Sequence, residues 1–93
     1  MQIHLTGRNI EITEALKTFT TEKFSKLEHH HKNIKNVNVT FHVENVTHVA
    51  EASLHLNGAE FHASAKSADM YSAIDALVDK IGKQITKHKE KMR

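Results

Sequence analysis

Between Lys35 and Glu44 the chain alternates without a break, with Val37, Val39, Phe41 and Val43 on one side and Asn38, Thr40, His42 and Glu44 on the other. A period of two held this long is a strand with one buried face, and only a packed sheet satisfies it. Two more segments continue the pattern. Ala50, Ala52, Leu54 and Leu56 form one inward row, and Phe61, Ala63 and Ala65 form the next, with Asn57-Gly58 between them. An Asn-Gly pair suits a type I′ hairpin, whose two central residues both need positive φ. With that pair at the turn, Leu56 faces Ala59, Leu54 faces Phe61 and Ala52 faces Ala63. A four-residue loop, Asn45–His48, then sets Val43 against Ala50, Phe41 against Ala52 and Val39 against Leu54. Each apolar residue meets an apolar one, and a slip of one residue would destroy the match.

The flanking segments complete an α+β order of β-α-β-β-β-α, a four-stranded sheet with both helices on its apolar face. Gln2–Thr6 alternates, with Ile3 and Leu5 on one side, and Gly7 ends it. Thr13 suits a helix N-cap, with Glu14 in the first turn. Leu16, Phe19, Phe24 and Leu27 mark the apolar stripe of that helix. A strand that reaches its neighbour through a helix predicts a parallel pair with a right-handed crossover. The last segment, from Asp69 onward, carries Met70, Ile74, Leu77, Val78, Ile81 and Ile85 at helical spacing. With 93 residues, no Pro and no internal repeat, the chain is expected to form one domain, 1–93. Without Cys it can have no disulfide, thiolate nucleophile or zinc–thiolate site. No apolar leader or membrane span is visible, so a cytoplasmic protein is expected.

Charge is polarised along the sequence. From Lys80 onward six Lys or Arg stand against one acid, a local charge of +5, while residues 1–79 hold seven against ten, or −3. Lys80, Lys83, Lys87 and Lys91 recur at three- and four-residue steps, forming a second stripe on the last helix. Asp79 is the only acid placed four residues before one of them, so i,i+4 pairing does not account for the stripe. Ordered cations on one helix face predict a polyanion surface, with RNA as the first candidate. Lys23 falls within the apolar stripe of the first helix, between Phe19 and Leu27. Its methylenes must lie on the core, while its ammonium emerges beside the second helix. Lys26, one turn away, widens the patch.

Nine histidines raise a metal-binding alternative. In the register above, His42 faces Glu51, His55 faces Glu60 and His62 faces Ser53, and His29, His30 and His31 close the first helix. No Cys, HExxH or tight ligand cluster accompanies them, so His42, His55, His62 and His29–His31 are candidates for adventitious metal only. No nucleophile elbow or phosphate loop appears, so neither an enzyme nor a cofactor is expected. The polar sheet face lacks the stacking aromatics of an RNA-recognition motif, leaving basic helix faces as the RNA surface.

Glu11-Ile-Thr-Glu-Ala-Leu, Lys23-Phe-Ser-Lys-Leu-Glu28, Asp69-Met-Tyr-Ser-Ala-Ile-Asp and Asp79-Lys-Ile-Gly-Lys-Gln-Ile-Thr-Lys87 together resemble the ribosome hibernation promoting factors, of the ribosome-associated inhibitor and sigma-54 modulation protein family. The resemblance spans essentially the whole chain. It implies a fold similar to double-stranded-RNA-binding domains. It also implies a seat in the small-subunit channel where messenger and transfer RNAs bind, with translation blocked in stationary phase. The family's basic positions fall on Lys23, Lys26, Lys80, Lys83 and Lys87, with Lys89 and Lys91 extending the patch. The chain ends at Arg93 without a dimerisation domain or an acidic tail, which resembles the short form. That form favours inactive ribosome dimers together with a ribosome modulation factor. No membrane and no small-molecule substrate are implied.

Overall fold

The computed structural model of the chain describes residues 1–91, the side chain of Lys91 excepted. The elements are β1 (Gln2–Gly7), α1 (Glu14–His30), β2 (Asn36–Glu44), β3 (Thr47–Leu56), β4 (Ala59–Ser67) and α2 (Met70–Lys91). The four strands form one sheet in the order β1-β2-β3-β4. β1 and β2 are parallel, with Ile3 beside Val37 and Leu5 beside Val39, as a helical crossover requires. Both later pairs are antiparallel. Strand directions therefore leave α1 and α2 parallel to each other, with both N-termini at one end of the molecule.

The β3–β4 hairpin has the expected register, Leu56 to Ala59, Leu54 to Phe61 and Ala52 to Ala63. Asn57 at φ 52° and Gly58 at φ 78° supply its two left-handed positions. The β2–β3 register differs from the sequence reading by two residues. Val37 faces Leu54, Val39 faces Ala52, Phe41 faces Ala50 and Val43 faces His48. The connection is only Asn45-Val46, because Asn45 takes φ 57° and lets the chain reverse at once, while Thr47 and His48 extend β3. A shift of two preserves every inward face, so hydrophobic alternation could not distinguish the two registers. The polar face changes accordingly: His42 lies opposite Val49, and Glu51 opposite Thr40.

Leu16, Phe24 and Leu27 of α1 and Ala73, Ile74, Leu77, Ile81 and Ile85 of α2 are buried against the apolar rows of β2, β3 and β4. Phe19 lies at the edge of this core, and Thr20 occupies a fully buried place in the α1 stripe. Its hydroxyl donates to the Leu16 carbonyl at 2.8 Å, so no polar atom is left unpaired there. Thr13 caps α1, its Oγ1 accepting from the Leu16 N–H at 3.1 Å. Asp69 caps α2, accepting from the Ser72 N–H and the Ser72 hydroxyl, each at 2.9 Å. Those two bonds, the N–H first, hold the Asp69 carboxyl below its ordinary pKa.

Candidate nucleic-acid interface

Helical geometry sets what each lysine of α2 can reach. At about 100° per residue, Lys80 and Lys87 lie within about 20° of each other and Lys83 about 40° further toward α1. Asp79, Thr86 and Glu90 fill the next sector, followed by Gly82 and Val78, which face α1. The lysine flank is therefore separated from α1 by a lane that contains two acids.

Lys80 and Gln84 turn the other way, toward β4. The Lys80 ammonium donates to the Ser64 carbonyl at 2.9 Å, and the Gln84 amide to the His62 carbonyl at 3.0 Å. Both bonds cover open edge groups of β4 and fix the rotation of α2 over the sheet. Lys83 pairs with Asp79 at 3.0 Å, the i,i+4 pair expected from the sequence. Lys26 and Lys87 make no ion pair among the described residues. They stand on opposite walls of a 680 Å³ groove between the C-terminal halves of α1 and α2, which Lys83, His30 and Thr86 also line. Gly82 lies in the floor, where an added Cβ would meet Leu27 Cδ1 at 3.3 Å, so the helices approach closely at that point.

Lys23 emerges beside α2, as its wheel position predicts. Its ammonium lies 2.9 Å from an Asp75 carboxylate oxygen and 5.4 Å from the centre of the Phe19 ring. The side chain is about a quarter exposed, 28%, so the stem is covered and the head sits at the rim. The sequence pattern around Lys23 indicates a rim cation but not its partner; only the azimuth of α2 supplies Asp75.

Lys89 departs from the stripe. Its ammonium reaches His31 Nδ1 at 3.0 Å, at the C-terminal end of α1. Lys91 lies in the last turn of α2, with its side chain outside the described residues, as are Met92 and Arg93. His31 is 7% exposed and its N–H bonds the Leu27 carbonyl to cap α1, so it is not the free surface ligand that a His-His-His run suggests. Burial first, then Lys89 and His30, holds its pKa below the ordinary 6.5. The unfolded chain takes up this proton at the ordinary value, the folded chain only at a lower pH. The stability contributed by a neutral His31 is therefore complete above about pH 6.5 and declines as pH falls toward the lowered value. His31→Gln is expected to flatten that limb in a plot of Tm against pH. An unchanged limb would assign the acid loss to other groups.

Two of the remaining histidines, His42 and His55, are held by carboxylates. His42 Nε2 donates to Glu44 at 3.0 Å, and its Nδ1 lies 3.3 Å from an Arg8 guanidinium nitrogen. That hydrogen bond, with Lys66 at 3.6 Å, lowers the Glu44 pKa. The Lys66–Glu44 pair crosses the face beside Val49, which is buried at 2% on the otherwise polar side of the sheet. His55 pairs with Glu60 at 3.0 Å. Among the described residues no three His, Asp or Glu side chains converge on a metal position, and no helix is long and apolar enough to cross a membrane.

Residues 3–93 match the family model described as sigma 54 modulation protein / S30EA ribosomal protein. The chain is 55% identical over 93 residues to a ribosome hibernation promoting factor of Escherichia coli, and 54% identical to one of Salmonella typhimurium. Each alignment covers all of this chain and 98% of the relative. Among solved structures, a ribosomal subunit interface protein from Coxiella burnetii superposes with a TM-score of 0.86 at 32% identity, covering 97% of this chain and 99% of that one. The N-terminal domain of Protein Y from Thermus thermophilus gives 0.86 at 29% identity, covering 95% and 99%. The chain belongs to this family, that of the sigma 54 modulation and S30EA ribosomal proteins and of the ribosome hibernation promoting factors, whose ribosome-associated modulation of translation is not enzymatic.

Proposed function

We propose that residues 1–93 act as a single ribosome-binding domain that occupies the messenger and transfer RNA channel of the small subunit. There the domain blocks translation and favours inactive ribosome dimers in stationary phase, as the short form of the family and together with a ribosome modulation factor. The protein acts in the cytoplasm and uses no cofactor. The observation that carries this reading is the lysine flank of α2 facing a groove with Lys26 on its far wall, in a chain more than half identical to hibernation promoting factors. Lys26, Lys80, Lys83 and Lys87 are the principal RNA contacts. Lys23 supports them from its pair with Asp75, and Lys89 and Lys91 extend the surface at the end of α2. The acid lane through Asp79 and Glu90 favours phosphates held at the two walls over a single flat duplex contact.

Pelleting with purified small subunits over a salt series tests the reading. If five to seven cations displace counterions, log K against log[salt] is expected to slope at roughly −4 to −6. A slope near zero, or protein left in the supernatant at low salt, would overturn it.

A further inference from the structure

At the other end of the molecule, the starts of α1 and α2 meet the β2–β3 turn around a hollow of 240 Å³. Ile10, Val43 and Tyr71 give it apolar walls, and His48 and Glu11 also line it. Val43 is 38% exposed, Tyr71 42% and Val46, two residues past the strand pair, 85%. Those three are most of the large apolar side chains exposed among the described residues; Val43 and Tyr71 line the hollow, and Val46 lies in the β2–β3 turn that borders it. His48, which also lines the hollow, has its Nδ1 buried without a hydrogen-bond partner.

The charge around the hollow is negative. Glu11 and Glu14 make no ion pair among the described residues, and Asp69 is engaged only in capping α2. The neighbouring cations are already paired, Arg8 with Glu51 and Lys66 with Glu44. Phosphate would be repelled here. A second copy fits poorly: face-to-face pairing would oppose like carboxylates, and at the lysine end only Met1, 36% exposed and with its ammonium on Glu28, offers a large apolar side chain among the described residues.

We propose that this hollow docks a basic protein segment carrying one bulky apolar side chain, so that the molecule has a protein-binding end distinct from its lysine flank. The anchor fills the space between Ile10, Val43 and Tyr71, and flanking Arg or Lys side chains meet Glu11, Glu14 and Asp69.

Tyr71 is the only tyrosine and there is no tryptophan, so its fluorescence reports on the hollow directly. The full chain would be titrated with the peptide Lys-Arg-Phe-Arg-Lys and with the same peptide carrying Ala for Phe. Saturable change at Tyr71 with the Phe peptide, at least tenfold weaker with the Ala peptide, is expected. Val43→Glu adds a negative charge but removes an apolar wall. It should weaken the Phe peptide if the anchor matters, and strengthen it if charge alone acts. The exposed pair Glu11→Lys/Glu14→Lys should weaken it as well, and Lys87→Ala should leave it unchanged. Equal binding of both peptides, stronger binding to Val43→Glu, competition by a short single-stranded RNA, or concentration-dependent dimerisation that excludes the peptide would each overturn the proposal.

Discussion

Reversing Lys26 and Lys87 together to glutamate is expected to weaken binding to small ribosomal subunits about 100-fold at about 0.1 M salt. Each phosphate contact releases nearly one counterion, which at that salt concentration is worth about a factor of ten. Placing two carboxylates at the same points adds repulsion on top of that loss. The salt slope should fall by about two. These two lysines give the cleanest test because they border the groove from different helices and hold no ion pair among the described residues. Lys80, Lys83 and Lys23 already engage Ser64, Asp79 and Asp75, so changing them mixes RNA contact with local structure. Lys17→Glu is the matched control, because Lys17 lies with Ile3 and Thr21 on the β1 side of α1. If Lys17→Glu weakens binding as much per reversed charge as the double variant, only net charge matters; if the double reversal binds within about twofold of wild type, the groove is not the RNA face.

Phe24→Ala should cost about 3–5 kcal/mol of unfolding free energy. Phe24 is fully buried in the centre of the α1 stripe, and truncation leaves a void between α1 and the sheet that surrounding side chains only partly fill. A small domain holds about 5–15 kcal/mol in total, so this one change removes a large share of it. Urea denaturation with an unchanged m-value would measure the loss. A loss below about 1 kcal/mol would mean that α1 is loosely seated. Lys26, which α1 carries to the groove, would then not be held in a fixed place on its wall.

The sequence made the layer order legible because three strands alternate and one turn carries Asn-Gly. It misplaced β3 against β2 by two residues, since an even shift changes no inward face and Thr47 and His48, read as loop, belong to β3. The lysine spacing on α2 was plain, yet Lys80, Lys83 and Lys87 look alike on a wheel and have three different fates. Their difference comes from how α2 is rotated over β4, which Gln84 and Lys80 fix through main-chain carbonyls far away in sequence. Lys23 showed its covered stem by position, whereas Asp75 could be assigned only once α1 and α2 were set side by side. His31 hid in a run of three identical residues. Burial distinguishes it, and burial is a property of the fold.

The parallel arrangement of α1 and α2 also bears on the rate of encounter. Both helix N-termini, with Glu11, Glu14 and Asp69 around them, stand at one end, and the lysines of α2 lie toward the other, along a molecule 43 Å in its longest dimension. Such a charge distribution feels a torque in the field of a polyanion and turns as it diffuses, arriving lysine end first. Orientation before contact raises the association rate constant and leaves dissociation to the local contacts. Salt should therefore slow capture more than it hastens release. Neutralising the carboxylates at the far end would remove that torque while raising the net charge, so capture should lose its preferred orientation and keep its attraction, without any change to a residue that meets RNA.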